Sequence, residues 1–192
     1  MSKGYGAKTR GGDDPRPVAV LGMGNVLLGD DAVGPTVVET LRAWYELPHE
    51  VECADIGTPG LDLVPHMAGR RAVILVDAVA AAGPPGTVRV WDRERIASAA
   101  VTGRLSPHDP GLAETLAALE FSGEAPEVLH VVGIVPAETG TGLGLSPAVR
   151  EAVPEAVETV VRLLVELGVP VRRRPDPGPV EAWWSDTTHR GP

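Results

Sequence analysis

Five apolar residues in a row, Ala72-Val73-Ile74-Leu75-Val76, stop at an aspartate, Asp77. A strand with one wet face alternates apolar and polar side chains. An unbroken apolar run means that both faces are covered, as in a parallel strand between two helix layers. Val18-Ala19-Val20-Leu21 repeats the pattern nearer the start of the chain. Val51–Asp55 and residues 128–135 read as further strands, and residues 87–91 alternate as a half-exposed strand should. Between them lie segments of helical spacing: Val37, Val38, Leu41, Trp44 and Tyr45 after Pro35; Leu112, Leu116 and Leu119 after Pro110; Val157, Val160, Val161 and Leu164. Residues 61–67 suit a short helix. Strands alternating with helices define an α/β chain, a three-layer α/β/α sandwich with a mostly parallel twisted sheet and helices on both faces. With one Phe and two Tyr, the core falls to Val, Leu, Ile and Ala.

The 192 residues suit one domain. Residues 1–16, rich in Gly and charge, read as a flexible lead-in, residues 17–168 as the folded domain, and residues 169–192 as a flexible Pro- and Arg-rich tail. In that tail Trp183 and Trp184 stand isolated among polar residues. Ser146 and Pro147 read as the N-cap and first position of a helix, and Pro154 predicts a short turn before the main helix begins.

The formal net charge is −9, but the two ends carry about +2 and +1, so the body between them is near −12. Such a surface excludes nucleic acid and anionic membranes as partners. It fits cation binding or a basic peptide, and equally an ordinary solvated surface. A single cysteine, Cys53, excludes an internal disulfide and a paired-cysteine metal clip. No apolar run approaches the roughly 18 residues of a membrane span. The polar, glycine-rich start has no apolar core of a signal peptide, which makes the cytoplasm the expected compartment.

In an open α/β sheet, sites form beyond the carboxyl ends of the strands. The loops after Leu21 and Val76 are therefore the first places to look. Gly22-Met23-Gly24 invites a dinucleotide reading, but Leu27 stands where the third glycine belongs, and Asp30 and Asp31 put negative charge where a pyrophosphate needs positive potential. Those two aspartates also suit a helix N-terminus. Asp77 is either a hydrogen-bonded structural acid or a site residue aimed into the crevice. His108 lies in Ser106-Pro107-His108-Asp109, just before a helix. Ser106 has no nucleophile elbow around it, and Cys53, in mid-strand, reads as inert core. His49, His66, His130 and His189 lack ligand-type partners at useful spacing and belong to surface or core. Asp31, Asp77 and His108 remain, two carboxylates and one imidazole near strand ends. Such a set suits a divalent transition metal with open positions, or the activation of a water. The HExxH of common zinc proteases is not present.

Several segments, taken in order, resemble the [NiFe]-hydrogenase maturation endopeptidase family. They are residues 22–34 (GMGNVLLGDDAVG), Asp55-Ile56-Gly57-Thr58-Pro59-Gly60, Val76-Asp77-Ala78, Ser106-Pro107-His108-Asp109-Pro110-Gly111-Leu112, Gly133-Ile134-Val135-Pro136 and Gly142-Leu143-Gly144-Leu145-Ser146-Pro147. The resemblance spans roughly residues 18–168. It implies a cytoplasmic α/β/α peptidase, often grouped with the aspartic type, that removes the C-terminal extension of a nickel-loaded hydrogenase large-subunit precursor. It further implies that Asp31, Asp77 and His108 form the metal-recognising and catalytic set, with Asp55 nearby. The nickel would come with the substrate, and other divalent metals could bind in vitro. A monomer acting on the large-subunit precursor is the expected assembly. A non-cleaving, nickel-sensing maturation chaperone of the same fold is the alternative. Two departures stand out: many relatives carry Glu where this chain has Asp31, and Asp109-Pro110 replaces an uncharged pair.

Overall fold

The computed structural model describes residues 18–100, 109–180, 182 and 184. The elements run β1 (Val18–Gly22), a 3-10 turn (Gly29–Ala32), α1 (Val33–Trp44), β2 (Tyr45–Glu46), β3 (Val51–Asp55), a second 3-10 turn (Gly60–Leu63), α2 (Val64–Met67), β4 (Ala72–Ala78), β5 (Val88–Asp92), α3 (Arg93–Ala100), α4 (Asp109–Ser122), β6 (Val128–Ile134), α5 (Pro147–Glu166) and β7 (Arg172–Arg173). The main sheet has the order β3-β1-β4-β6-β5, parallel except for β5, which runs antiparallel to β6 at the edge.

The apolar runs behave as their patterning requires. Every residue of β1 and β4 is buried. Val18 and Val20 of β1, with Ile74 and Val76 of β4, pack against α1 and α5. Their neighbours Ala19, Leu21, Val73 and Leu75 pack on the other face against Met67 of α2, Ile96 of α3 and Leu112, Leu116 and Leu119 of α4. The three-layer sandwich expected from the sequence is therefore present. No helix among the described residues is long and apolar enough to cross a membrane.

Three expectations change. Pro154 does not break its helix: α5 continues through it from Pro147 to Glu166. A proline inside a helix costs about 3 kcal/mol. Ala152, Val153, Ala156 and Val157, buried on either side of it, each recover about 1–2 kcal/mol only if the helix stays continuous. Second, α3 was not evident in the sequence. It is a polar helix docked through the buried Ile96.

Third, the segment after Val169 carries core residues where its composition suggested a mobile tail. Arg172 and Arg173 pair antiparallel with Glu46 and Tyr45. The Arg173 guanidinium sits 5.9 Å from the rings of Trp44 and Tyr45 and 3.7 Å from the Glu158 carboxylate. Val169, Ala182 and Trp184 are buried in the α1–α5 side of the core. Polar spacing hid this because the anchoring residues follow no period, only contact with a surface made elsewhere. Trp183 lies outside the described residues, as do residues 1–17.

Candidate functional site

The loop between β1 and α1 is folded onto the carboxyl edge of the sheet by its own backbone. The Met23 amide donates to the Val76 carbonyl (2.8 Å), the Gly24 amide to the Gly57 carbonyl (2.9 Å), and the Ile56 amide to the Gly22 carbonyl (3.0 Å). Glycine is needed where these chains cross. Gly24 has φ +136°, and a Cβ there would lie 1.8 Å from the Asp31 carbonyl oxygen. A Cβ on Gly34 would meet the carbonyl oxygens of Met23 and Val76 at 2.2 and 2.4 Å. The glycines thus let α1 and its lead-in loop pack against the strand ends. They cradle backbone, which accounts for the missing third glycine of a nucleotide loop.

Asp31 lies in the 3-10 turn that precedes α1, and it is buried. Its Oδ2 accepts the Asn25 amide at 2.7 Å, while the Asn25 side-chain carbonyl accepts the Leu27 amide at 3.0 Å. The 3-10 turn rests against β4. Asp77 is the penultimate residue of β4, 1% exposed, and its Oδ1 accepts the amide of Ala78 at 2.8 Å. Its neighbour across the sheet is Gly133 of β6. Asp31 and Asp77 are thus two buried acids on one edge of the sheet, held by adjoining elements. Asp55 ends β3 on the same edge but is exposed, its Oδ1 accepting the Gly57 amide at 2.9 Å.

His108 lies outside the described residues, as do Ser106 and Pro107. The helix that follows, α4, starts at Asp109. Its far end reaches the opposite edge, where Arg93 bonds the Glu120 carboxylate (2.8 Å) and the Pro126 carbonyl (3.0 Å) below β6. The beginning of α4 is therefore at the carboxyl edge, beside the turn Gly60–Leu63 that follows β3. Among the described residues, no three His, Cys, Asp or Glu side chains are grouped to hold a metal ion.

Asp30 behaves differently from its neighbour, and differently from an acid that merely complements a helix end. It is fully buried. Its Oδ2 accepts the amides of Ala137 (2.8 Å) and Glu138 (3.1 Å) and the Ser146 hydroxyl (2.9 Å); its Oδ1 accepts the Ser146 amide (2.7 Å). Backbone bonds from Gly29 to Gly142 and from Gly142 to Leu27, both 2.9 Å, extend the seam. Ser146 stands at the N-cap of α5, yet its hydroxyl makes no capping bond. The two glycine-rich motifs of the sequence are thus one structure, closed around Asp30.

The remaining candidates fall away from this edge. Cys53 is half-buried, and burial pushes its thiol up to about 12 despite the nearby Arg42 guanidinium. His130 is half-buried near the amino-terminal edge, lining a cavity of about 310 Å³ with Asp92, Arg93 and Glu127, and its Nδ1 has no hydrogen-bond partner among the described residues. His49 is exposed.

The chain is thus an α/β sandwich with two buried acids at the carboxyl edge of its parallel strands, and comparison with known proteins gives its family. Residues 35–163 match the family model described as hydrogenase maturation protease. The chain is 41% identical over 153 residues to the hydrogenase 2 maturation protease of Escherichia coli (strain K12), covering 79% of this chain and 93% of the relative. It is 36% identical over 167 residues to the hydrogenase expression/formation protein HupD of Rhizobium leguminosarum bv. viciae, covering 86% and 83%. The solved structure of the hydrogenase maturating endopeptidase HybD from E. coli superposes with a TM-score of 0.76 at 40% identity, over 82% of this chain and 97% of that one. The chain belongs to the hydrogenase maturation protease family.

Proposed function

We propose that this protein is the endopeptidase that removes the C-terminal extension of a nickel-loaded [NiFe]-hydrogenase large-subunit precursor, and that it recognises the nickel through Asp31, Asp77 and His108. The observation that carries the reading is the placement of Asp31 and Asp77 as buried acids on one sheet edge in a chain of this protease family. Each of the two is buried, 3% and 1% exposed, and a divalent cation offsets the cost of burying carboxylate charge. Carboxylate and imidazole oxygen and nitrogen donors suit nickel, and other divalent metals in vitro.

The backbone amides on Asp31 and Asp77 fix the direction of each carboxylate. Nickel carried by the substrate would be held by Asp31, Asp77 and His108 and would supply the positive charge that draws the scissile segment to this edge. One of the two carboxylates then accepts a proton from the water that attacks the peptide carbonyl, and the proton passes to the leaving amine. Recognition of the nickel that the substrate carries makes cleavage conditional on nickel insertion.

Incubating the purified protein with nickel-loaded and nickel-free precursor and weighing the products by mass spectrometry tests the reading. Loss of the C-terminal extension from the loaded form alone is the expected result. Binding of the loaded precursor without any mass loss would instead identify a non-cleaving, nickel-sensing chaperone.

A further inference from the structure

We infer that Asp30 is a positioning residue, which fixes the turn that carries Asp31 by clamping it to residues 137–146; this rests on the role proposed above for Asp31. Four donors converge on one buried carboxylate, three of them backbone amides and one the Ser146 hydroxyl, from positions 107 to 116 residues away in the chain. A buried carboxylate that accepts this many bonds is held rigidly, and it holds its donors in return.

The consequence for Asp31 is geometric. Asp30 and Asp31 are consecutive in a four-residue 3-10 turn. The Asp30 amide itself donates to the Glu138 carbonyl (3.1 Å), and the Asp31 amide to the Leu28 carbonyl (3.1 Å). The backbone of the turn is therefore pinned on one side by the 137–146 loop, while Asp31 projects to the other and accepts the Asn25 amide. Loosening the clamp lets the turn rotate and moves the Asp31 carboxylate relative to Asp77, which β4 holds independently. Asp30 touches neither metal nor scissile bond in this account. Its part is played through the residue beside it, as outer-shell partners of ligating groups do.

Ser146 provides the test that Asp30 itself cannot, since an Asp30→Asn amide would face at least one N–H donor with its own NH₂ and could prevent folding. Ser146→Ala removes one bond of four and leaves its backbone amide in place. Ser146→Thr keeps the hydroxyl. For Ser146→Ala we expect kcat for the nickel-loaded precursor to fall about tenfold with KM within about twofold, and the affinity for Ni²⁺ alone, measured by calorimetry, to weaken by about the same factor. Ser146→Thr should restore both. Circular dichroism at the assay temperature should show all three forms fully folded. Equal kcat and equal Ni²⁺ affinity in the wild type and Ser146→Ala would overturn the positioning role alone. A wild type that neither cleaves the precursor nor binds Ni²⁺ would overturn the underlying reading, and this inference with it.

Discussion

The indole N–H of Trp184 donates to the hydroxyl of Thr36 at 3.2 Å, and the Thr36 hydroxyl in turn donates to the Ala32 carbonyl at 2.7 Å. The end of the described chain is thereby tied to the first turn of α1, one residue from Asp31. Trp184 is 7% exposed. Trp184→Ala should destabilise the fold by about 3 kcal/mol through lost packing, and Trp184→Phe by about 1 kcal/mol through the lost hydrogen bond. Truncation after Arg174 should resemble Trp184→Ala. Thermal midpoints of the three forms check this ordering, and a truncated chain with an unchanged midpoint would contradict it.

Asp77→Asn keeps the size of the side chain and its bond from the Ala78 amide while removing the charge. Precursor cleavage should fall at least about 100-fold with the thermal midpoint held or raised, since one buried charge is removed. Asp31→Asn and His108→Ala should behave alike. His130→Ala, at the other edge of the sheet, should leave cleavage intact. If Asp77 were a structural acid, activity in Asp77→Asn would decline only in step with the folded fraction.

Gly24→Ala places a methyl group into the Asp31 carbonyl and forces an alanine to a positive φ. A loss of about 3 kcal/mol or more is expected. Gly123 also has positive φ, +72°, but open space around it among the described residues, so Gly123→Ala should cost only about 1–2 kcal/mol. Denaturant midpoints of the two variants separate the steric from the conformational penalty.

Cys53 gives a pH signature. Its thiol is raised from 9.0 to about 12, chiefly by burial. A raised folded-state value stabilises the fold fully below about pH 9 and loses that contribution as pH climbs to about 12. Cys53→Ala should flatten the alkaline limb of the stability curve in that window. Iodoacetamide at pH 8 should label the unfolded chain far faster than the native one.

How much of this could be read from sequence depends on whether the signal was local. The continuous apolar runs of β1 and β4 announced a doubly covered sheet because strand burial is written into consecutive residues. Asp77 was visible as an acid at a strand end, and Asp31 as one in the loop that follows a strand. Asp30 was not distinguishable from Asp31, since both suit a helix start and only the distant amides of Ala137, Glu138 and Ser146 tell them apart. Ser146 misled in the same way: its position is that of a cap, but its hydroxyl serves another partner. Trp184 and the pairing of Arg172 and Arg173 were hidden because their partners lie more than 100 positions earlier. Pro154 was overread because a local rule yielded to nine buried residues of a long helix.

The seam around Asp30 sets a timetable for biosynthesis. Its acceptor emerges from the ribosome early, whereas its donors at Ala137, Glu138 and Ser146 emerge more than 100 residues later. Contacts of such long sequence separation form late, after the loops they close have been made. A nascent chain that has exposed only β1, α1 and β4 already contains Asp31, Asp77 and the Asn25 amide that bonds Asp31, yet it lacks the four donors that clamp Asp30. The clamp on Asp30 can close only after residue 146 has been made, so the turn that carries Asp31 takes its final seat late in the chain's own synthesis.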